Sequence, residues 1–451
     1  MNRDPLRCPP RQLLLAGALM LLPAIATSAT AGSDIPLAGA TIAVANCNDS
    51  GPGSLRDAIA NAATGDTIDM SSLACRTINL TSGAIAIAQR DLSLDGGPPG
   101  LMKVDAGHRS GVFRHTGRGW LRIDRLNIAN GRYAGDTTPR GGCLYSDGKI
   151  ELVNSKVHGC SVGPARGYGA GIFAWGNVIL RYSWVTGNTS SFVAGGIGAY
   201  RGLLANHSHV SDNRADVASA VWVEAGPTTA NYSTFSNNRG GGVIETASGG
   251  DLYIANSTIS GNTSTRTGWS IISNSGSSFD DVTIVESTIS GNTTTGNETI
   301  SLTGDGARSI INSTIAFNRD VGPCEGSGNA TLFVSGGATL LDSTVISNNS
   351  CNGNARPSVF GNNLRAPSVL TGADNLITTT GNIALPPDTI SVDPKLAPLA
   401  DNGGPTMTHA LPADSPAIDN GNNEAGLEFD QRGKGHPRVN GSQTDIGAFE
   451  R

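Results

Sequence analysis

The phrase Asn256-Ser-Thr-Ile-Ser-Gly-Asn262 recurs along the chain as Glu286-Ser-Thr-Ile-Ser-Gly-Asn292, Asn312-Ser-Thr-Ile-Ala-Phe-Asn318 and Asp342-Ser-Thr-Val-Ile-Ser-Asn348. Looser copies precede it at Tyr182 to Asn188, His207 to Asn213 and Tyr232 to Asn238, and two more divergent ones at Arg125 to Gly131 and Asn154 to Cys160. The apolar fourth position falls at Ile128, Val157, Val185, Val210, Phe235, Ile259, Ile289, Ile315 and Val345, 24 to 30 residues apart. Self-similarity at so short a period means a solenoid, in which each repeat buries its apolar face only against its neighbours.

The content of one period says which solenoid. Short alternating runs such as Asp251-Leu-Tyr-Ile-Ala255 are punctuated by Gly, Asn and Asp, and helical periodicity is absent. The period is too short for propeller blades, and the Leu and Asn frame of leucine-rich repeats is missing. The sequence predicts an all-β, right-handed parallel β-helix of about nine to eleven coils, each with three strands and three turns. Nine coils stacked at about 4.8 Å make a rod of roughly 40 Å. Asn188, Asn213, Asn238, Asn262, Asn292, Asn318 and Asn348 fall in one column. Asn tolerates a left-handed turn, and stacked carboxamides can donate to one neighbour and accept from the other, so the column reads as a structural ladder. A role in binding glycan or metal is the competing reading.

Gly at 60 of 451 residues, aromatics at 5% and charged residues at 15% fit a turn-rich chain with a thin core of Ile, Val, Leu, Ala and Ser. The first residues carry Arg3, Arg7 and Arg11, then the apolar run Leu13 to Leu22, then Ala26, Ala29 and Ala31. That order predicts a secretory signal peptide over 1–31, cleaved after Ala29 or Ala31. The apolar run is too short to span a membrane as a mature helix, and Cys8 lies ahead of it, the wrong place for lipid attachment. The formal charge of −6 becomes more negative once three arginines and one aspartate leave with the leader. An acidic rod disfavours nucleic acid and anionic lipid as partners.

Six cysteines remain after export, as Cys47 with Cys75, Cys143 with Cys160 and Cys324 with Cys351 in sequence order. An even count in an exported chain favours disulfides, and nearest-neighbour pairing is one of about fifteen connectivities. Zinc is the competing reading, without a C-x-x-C or a close Cys/His set to carry it. No cofactor or metal site is predicted.

The ends of such a rod need covers. Ser54-Leu-Arg-Asp57 has the form of a capping box, and Leu55, Ala58, Ile59 and Ala62 follow at helical spacing, which predicts a short amphipathic helix over the first coil. Asn48-Asp-Ser-Gly-Pro-Gly-Ser-Leu-Arg-Asp-Ala-Ile59 and Gly65-Asp-Thr-Ile68 resemble the opening of secreted β-helix proteins related to the polymorphic outer membrane protein group. Asp401-Asn-Gly-Gly-Pro-Thr406, Asp414-Ser-Pro-Ala-Ile-Asp419, Asp430-Gln-Arg-Gly433 and Thr444-Asp-Ile-Gly-Ala-Phe-Glu450 resemble the choice-of-anchor Q domain. The resemblance implies fold and export rather than an activity. It divides the chain into a leader at 1–31, an N-terminal cap with first strands at 32–110, repeats at 111–385 and an irregular C-terminal cap at 386–451. No sorting motif or apolar tail follows Glu450, which leaves surface attachment open.

Catalytic signatures of β-helix enzymes fail. Val221-Trp-Val-Glu-Ala225 has Glu and Ala where the Trp-Ile-Asp-His pattern of pectate lyases has Asp and His. Asp280-Asp281 and His158-Gly159 resemble polygalacturonase motifs in the wrong order. Paired acids at a coil corner are ordinarily solvated, so Asp280 and Asp281 stand only as acid/base candidates. His409, Asp419, Asp430, Arg432 and Asp445 include types that do acid and base work, but their turn-rich setting suits mutual pairing that holds the cap.

Period-two alternation sends the first and third positions of the phrase outward. The third runs Asn127, Lys156, Trp184, His209, Thr234, Thr258, Thr288, Thr314 and Thr344, and the first Arg125, Asn154, Tyr182, His207, Tyr232, Asn256, Glu286, Asn312 and Asp342. Tyr182, Trp184, His207, His209 and Tyr232 therefore share one face. Flat rings with polar tips suit a polysaccharide or cell-surface glycan, while rings that merely stack to stabilise coils are the alternative. The expectation is an exported, adhesin-like glycan or surface binder, non-catalytic, with a polysaccharide lyase or glycoside hydrolase as the alternative. Ligand identity and oligomeric state are not legible.

Overall fold

The computed structural model describes residues 39–98, 102–135, 137–164, 166–274, 280–304, 306–324, 330–362 and 367–451. The predicted signal peptide and Cys8 lie outside the described residues. Among the described residues the rod has four faces of parallel strands, 13 strands in face A, 12 in face B, 11 in face C and 10 in face D, which begins only at Arg132–Tyr133 and closes on an antiparallel pair. One coil visits them in the order A, B, D, C: Lys149–Val153, Lys156–His158, Ser161–Val162, Ile172–Ala174, then face A again at Asn177–Arg181. Four short strands thus replace the three expected, because the two-residue strands of face D carry too little alternation to be read from sequence. Eleven turns result, one for each strand of face C.

The core is a set of columns. Ile128, Val157, Val185, Val210, Phe235, Ile259, Ile289 and Ile315 are stacked in register and fully buried. In the next coil the column passes to Ile346, not Val345, because Ile315 pairs with Ile346. Asp342 still belongs to face A, opposite Ile311, and Ser343 takes the corner. The last phrase is thereby displaced by one residue.

Two polar columns flank this core. Asn262 shows the pattern of the first: its Nδ2 donates to Asn292 Oδ1 at 2.9 Å and to Phe235 O at 2.9 Å, while its Oδ1 accepts from the N and Nδ2 of Asn238. Asn188, Asn213, Asn238, Asn292 and Asn318 are bonded likewise. The displacement corrects the last rung. Asn318 donates to Asn349 at 3.0 Å, and Asn349 is buried while Asn348 is exposed. A second correction concerns backbone. The left-handed residue is the one before each rung, at Gly187, Asp212, Asn237, Gly261, Gly291, Phe317 and Asn348, so Asn348 serves the turn and the rungs themselves do not. The second column was not foreseen. Ser155, Ser183, Ser208, Ser233, Ser257, Ser287 and Ser313 each donate a backbone N–H to the next hydroxyl, ending on Thr344. Small hydroxyls satisfy the buried A–B corner that a larger side chain would disrupt.

At the N-terminal end the helix Leu55–Asn61 covers the first coil with Leu55, Ala58 and Ile59. Ser54 accepts from Asp57 N at 3.2 Å, and Asp57 answers by accepting from Gly53 N at 2.8 Å. Arg56 reaches the carbonyls of Gly83 and Ala84 and holds the cap to the coil beneath. The three disulfides are Cys47–Cys75, Cys143–Cys160 and Cys324–Cys351, consistent with an oxidising, extracellular setting. Among the described residues no helix is long and apolar enough to cross a membrane.

The C-terminal segment does more than close an end. Ile383 and Leu385 pack against the core, and the chain from Leu396 onward then lies back along the side of the rod. It covers the corner and face B over several coils. Thr258 Oγ1 donates to Met407 O at 2.6 Å, Thr288 Oγ1 to Gln431 Oε1 at 2.6 Å, and Ala448 N donates to Thr314 Oγ1 at 3.1 Å. Glu286, Thr258, Thr288, Asn312 and Thr314 point away from the core and are nevertheless buried. Thr344, also expected outward, points inward through the one-residue displacement.

Candidate binding face

Side chains at the edge of that segment form the candidate site, with Tyr232 lying against its Gly433. Tyr182, His207 and Tyr232 occupy the corner between faces A and B in three successive coils, and Trp184 and His209 sit beside them in register on face B. All five sequence-predicted residues are thus on one face. The rings stack: Tyr182 on His207 with centroids 4.9 Å apart, His207 on Tyr232 at 4.8 Å, and Trp184 on His209 at 5.7 Å with planes 4° apart. Stacking uses up ring faces. His207 is covered on both sides, whereas Tyr182 and Trp184 head the two stacks and are 52% and 41% exposed. Their open faces look toward the coil of Asn154 and Lys156, both exposed.

The corner backbone sharpens the point. Tyr182, His207 and Tyr232 have φ of 50°, 47° and 46°, the left-handed region, where other coils place Arg125, Asn154, Asn256, Glu286, Asn312 and Ser343. A bulky side chain there costs about 1–2 kcal/mol, which Asn largely avoids. Aromatic side chains thus follow one another in three coils at a position that three other coils give to Asn. Burial lowers the pKa of His207 and His209, so both rings are neutral near pH 7 and stack without a charge to solvate.

Among the solved structures that match the chain is the crystal structure of pectate lyase Pel9A, at 16% identity and a TM-score of 0.43, covering 92% of this chain and 97% of that one. No protein-family model matches the chain, and no curated protein does.

Of the two acid candidates, Asp281 holds backbone. Asp251 Oδ1 accepts from Asp281 N at 3.0 Å, and Asp281 Oδ1 in turn accepts from Ala307 N at 2.8 Å, a corner column that repeats from coil to coil. Asp280 stands beside it, half-buried. Among the described residues no group of three His, Cys, Asp or Glu is placed to hold a metal ion.

The C-terminal polar residues clamp the segment. Asp430 makes a two-pronged pair with Arg432, Asp419 accepts from Ser442 N and Gln443 N, and Asp445 accepts from Asp419 N and Arg451 N. His409 Nδ1 donates to Ala397 O at 2.7 Å, which leaves Nε2 to accept from Ser290 Oγ at 2.7 Å. Arg438, fully buried, lies 3.4 Å from the buried carboxylate of Glu286. Burial pushes the Glu450 carboxyl up to about 7, and raises Asp445 as well, despite backbone N–H donors to both. An acid raised in the folded state contributes stability that is whole below the ordinary carboxylate pKa and lost as pH climbs through the folded value. The melting midpoint of the parent minus that of Glu450→Gln is therefore expected to fall between pH 5 and pH 8. A difference that stays constant across that range contradicts the assignment.

A second ring cluster escaped sequence reasoning. On the outer side of face C, Tyr145 stacks on Phe173 at 6.1 Å and Trp175 tilts onto Tyr200 at 5.2 Å. Arg140 lies 5.1 Å from the Trp175 ring. The signal was present as two columns, Tyr145 with Phe173 and Trp222, and Trp175 with Tyr200, but Gly198 interrupts the first.

Proposed function

We propose that this chain is an exported, non-catalytic β-helix protein that binds glycan on its surface, with a leader over 1–31 and a choice-of-anchor Q type unit over 386–451. The observation that carries the binding reading is the pair Tyr182 and Trp184: two exposed rings on one coil, each heading a stack, one of them held in a strained backbone conformation. Ring faces of this kind lie flat on the apolar face of a sugar, at about 1 kcal/mol for each well-placed ring by analogy with aromatic pairs. His207, His209 and Tyr232 brace those two rings from behind. The disulfides and the leader-like N-terminus support export.

The test follows from the backbone. Tyr182→Asn introduces the residue that three other coils use at this corner, and Trp184→Thr restores the common residue of its column. The double variant is expected to lose most of its retention in affinity electrophoresis on polysaccharide while melting at or slightly above the parent's midpoint. Unchanged retention would sink the reading, and a fall in the midpoint would assign the rings to coil stability.

A further inference from the structure

We propose a second binding site on this chain, a cleft between the turn at 106–111 and the strand Arg132–Tyr133 that takes an anionic sugar unit, one bearing a carboxylate or a sulfate. It does not rest on the Tyr182 and Trp184 reading. The cleft has a volume of about 490 Å³ and is lined by His108, Arg109, Ser110, Arg132 and Tyr133 among others. That volume falls within the range of small-molecule sites, about 300–1,000 Å³. Its walls are tied to each other by backbone hydrogen bonds, Arg132 N to Ser110 O at 2.7 Å and His108 N to Asn130 O at 2.7 Å. The cleft is therefore preformed.

Its charge runs against the rest of the molecule. The chain has a formal charge of −6, yet Arg109 and Arg132 are exposed on this rim, and among the described residues neither has a carboxylate within ion-pair distance. Asp105, four residues before Arg109, is held by Lys103 and by Asn130 Nδ2. A third guanidinium lies behind the wall. Arg114 is sandwiched between Tyr133 at 4.2 Å and Tyr145 at 4.3 Å, and its Nη1 is buried without a hydrogen-bond acceptor. Three arginines and a histidine, none of them in an ion pair among the described residues, make a local positive field, and planar guanidinium forks match the paired oxygens of a carboxylate or sulfate.

The neutral part of the ligand also has a place. The Tyr133 ring is a wall of the cleft, and beyond it the flat groups continue through Arg114, Tyr145 and Phe173 toward Trp175 and Tyr200, both 37% exposed. Charge at one end and rings along one side suit a sugar chain with an anionic unit seated in the cleft, whereas a bare inorganic anion would leave the ring wall unused.

Calorimetric titration of the full chain decides between these. The probes are trigalacturonate, its methyl ester, a sulfated trisaccharide and inorganic phosphate. Binding of trigalacturonate, of the sulfated trisaccharide or of both supports the site and names its anion. Arg109→Gln with Arg132→Gln is then expected to weaken that binding tenfold or more at an unchanged melting midpoint, while Tyr182→Asn with Trp184→Thr leaves it intact. Three outcomes would overturn the proposal: no binding of either charged trisaccharide, equal binding of the methyl ester, or phosphate binding as tightly as the trisaccharides.

Discussion

Replacing Arg438 by Met is expected to cost about 3–5 kcal/mol and to release the C-terminal segment from the side of the rod, the usual consequence of stranding one member of a buried ion pair. Arg438 is fully buried and Glu286 is 2% exposed. Arg438 Nη1 donates to Glu286 Oε2 at 3.4 Å, and Nη2 donates to the carbonyl of Asp445. Burial already raises the Glu286 carboxyl well above its ordinary pKa, with Arg438 opposing the rise. Without the guanidinium Glu286 must bury an uncompensated charge or take up a proton. Denaturation of Arg438→Met should therefore show a large loss, accompanied by protease cuts within 396–451. Adding Glu286→Met should recover most of it, because the apolar pair leaves no stranded charge. Equal instability of the single and double variants would show that the pair is not what holds the segment.

The second large effect is expected at Asn262→Leu, at about 3 kcal/mol. The substitution removes two donated hydrogen bonds, to Asn292 Oδ1 and Phe235 O, and the acceptor that serves both the N and the Nδ2 of Asn238. An unsatisfied buried polar group costs about 1–3 kcal/mol, and this change affects more than one. Contacts in a solenoid run between neighbouring coils, so the damage should centre on the coils of Asn238 and Asn292. A melting curve unchanged from the parent would mean that the carboxamide column contributes nothing. The same substitution at Asn348, which is exposed, is expected to cost far less, whereas at Asn349 it should resemble Asn262→Leu.

Those two positions mark the limit of what the sequence made legible. Period and alternation were enough for the β-helix, because every coil repeats the same inward residues. The last rung slipped because Ser343-Thr344-Val345 matches the phrase equally well in either register, and only the pairing of Ile315 with Ile346 decides between them. The Thr column was read as outward, and except at the displaced Thr344 it is, but alternation tells a residue's direction from its own core and nothing about a later segment that comes to lie over it. Thr258 meets Met407, and Thr288 meets Gln431, 149 and 143 residues away; no local pattern carries such a contact. The aromatic corner could be placed on one face from sequence, while the left-handed backbone at Tyr182, His207 and Tyr232 could not, since large rings are poor predictors of that conformation.

The central claim, binding without turnover, is tested most directly by incubating the purified protein with a panel of polysaccharides and measuring retention and newly released ends on the same samples. The account predicts retention of the parent on at least one polysaccharide, diminished in the Tyr182→Asn and Trp184→Thr double variant, with no new reducing or unsaturated ends. Steady release of such ends by the parent, abolished by a point substitution, would contradict it and make the chain an enzyme.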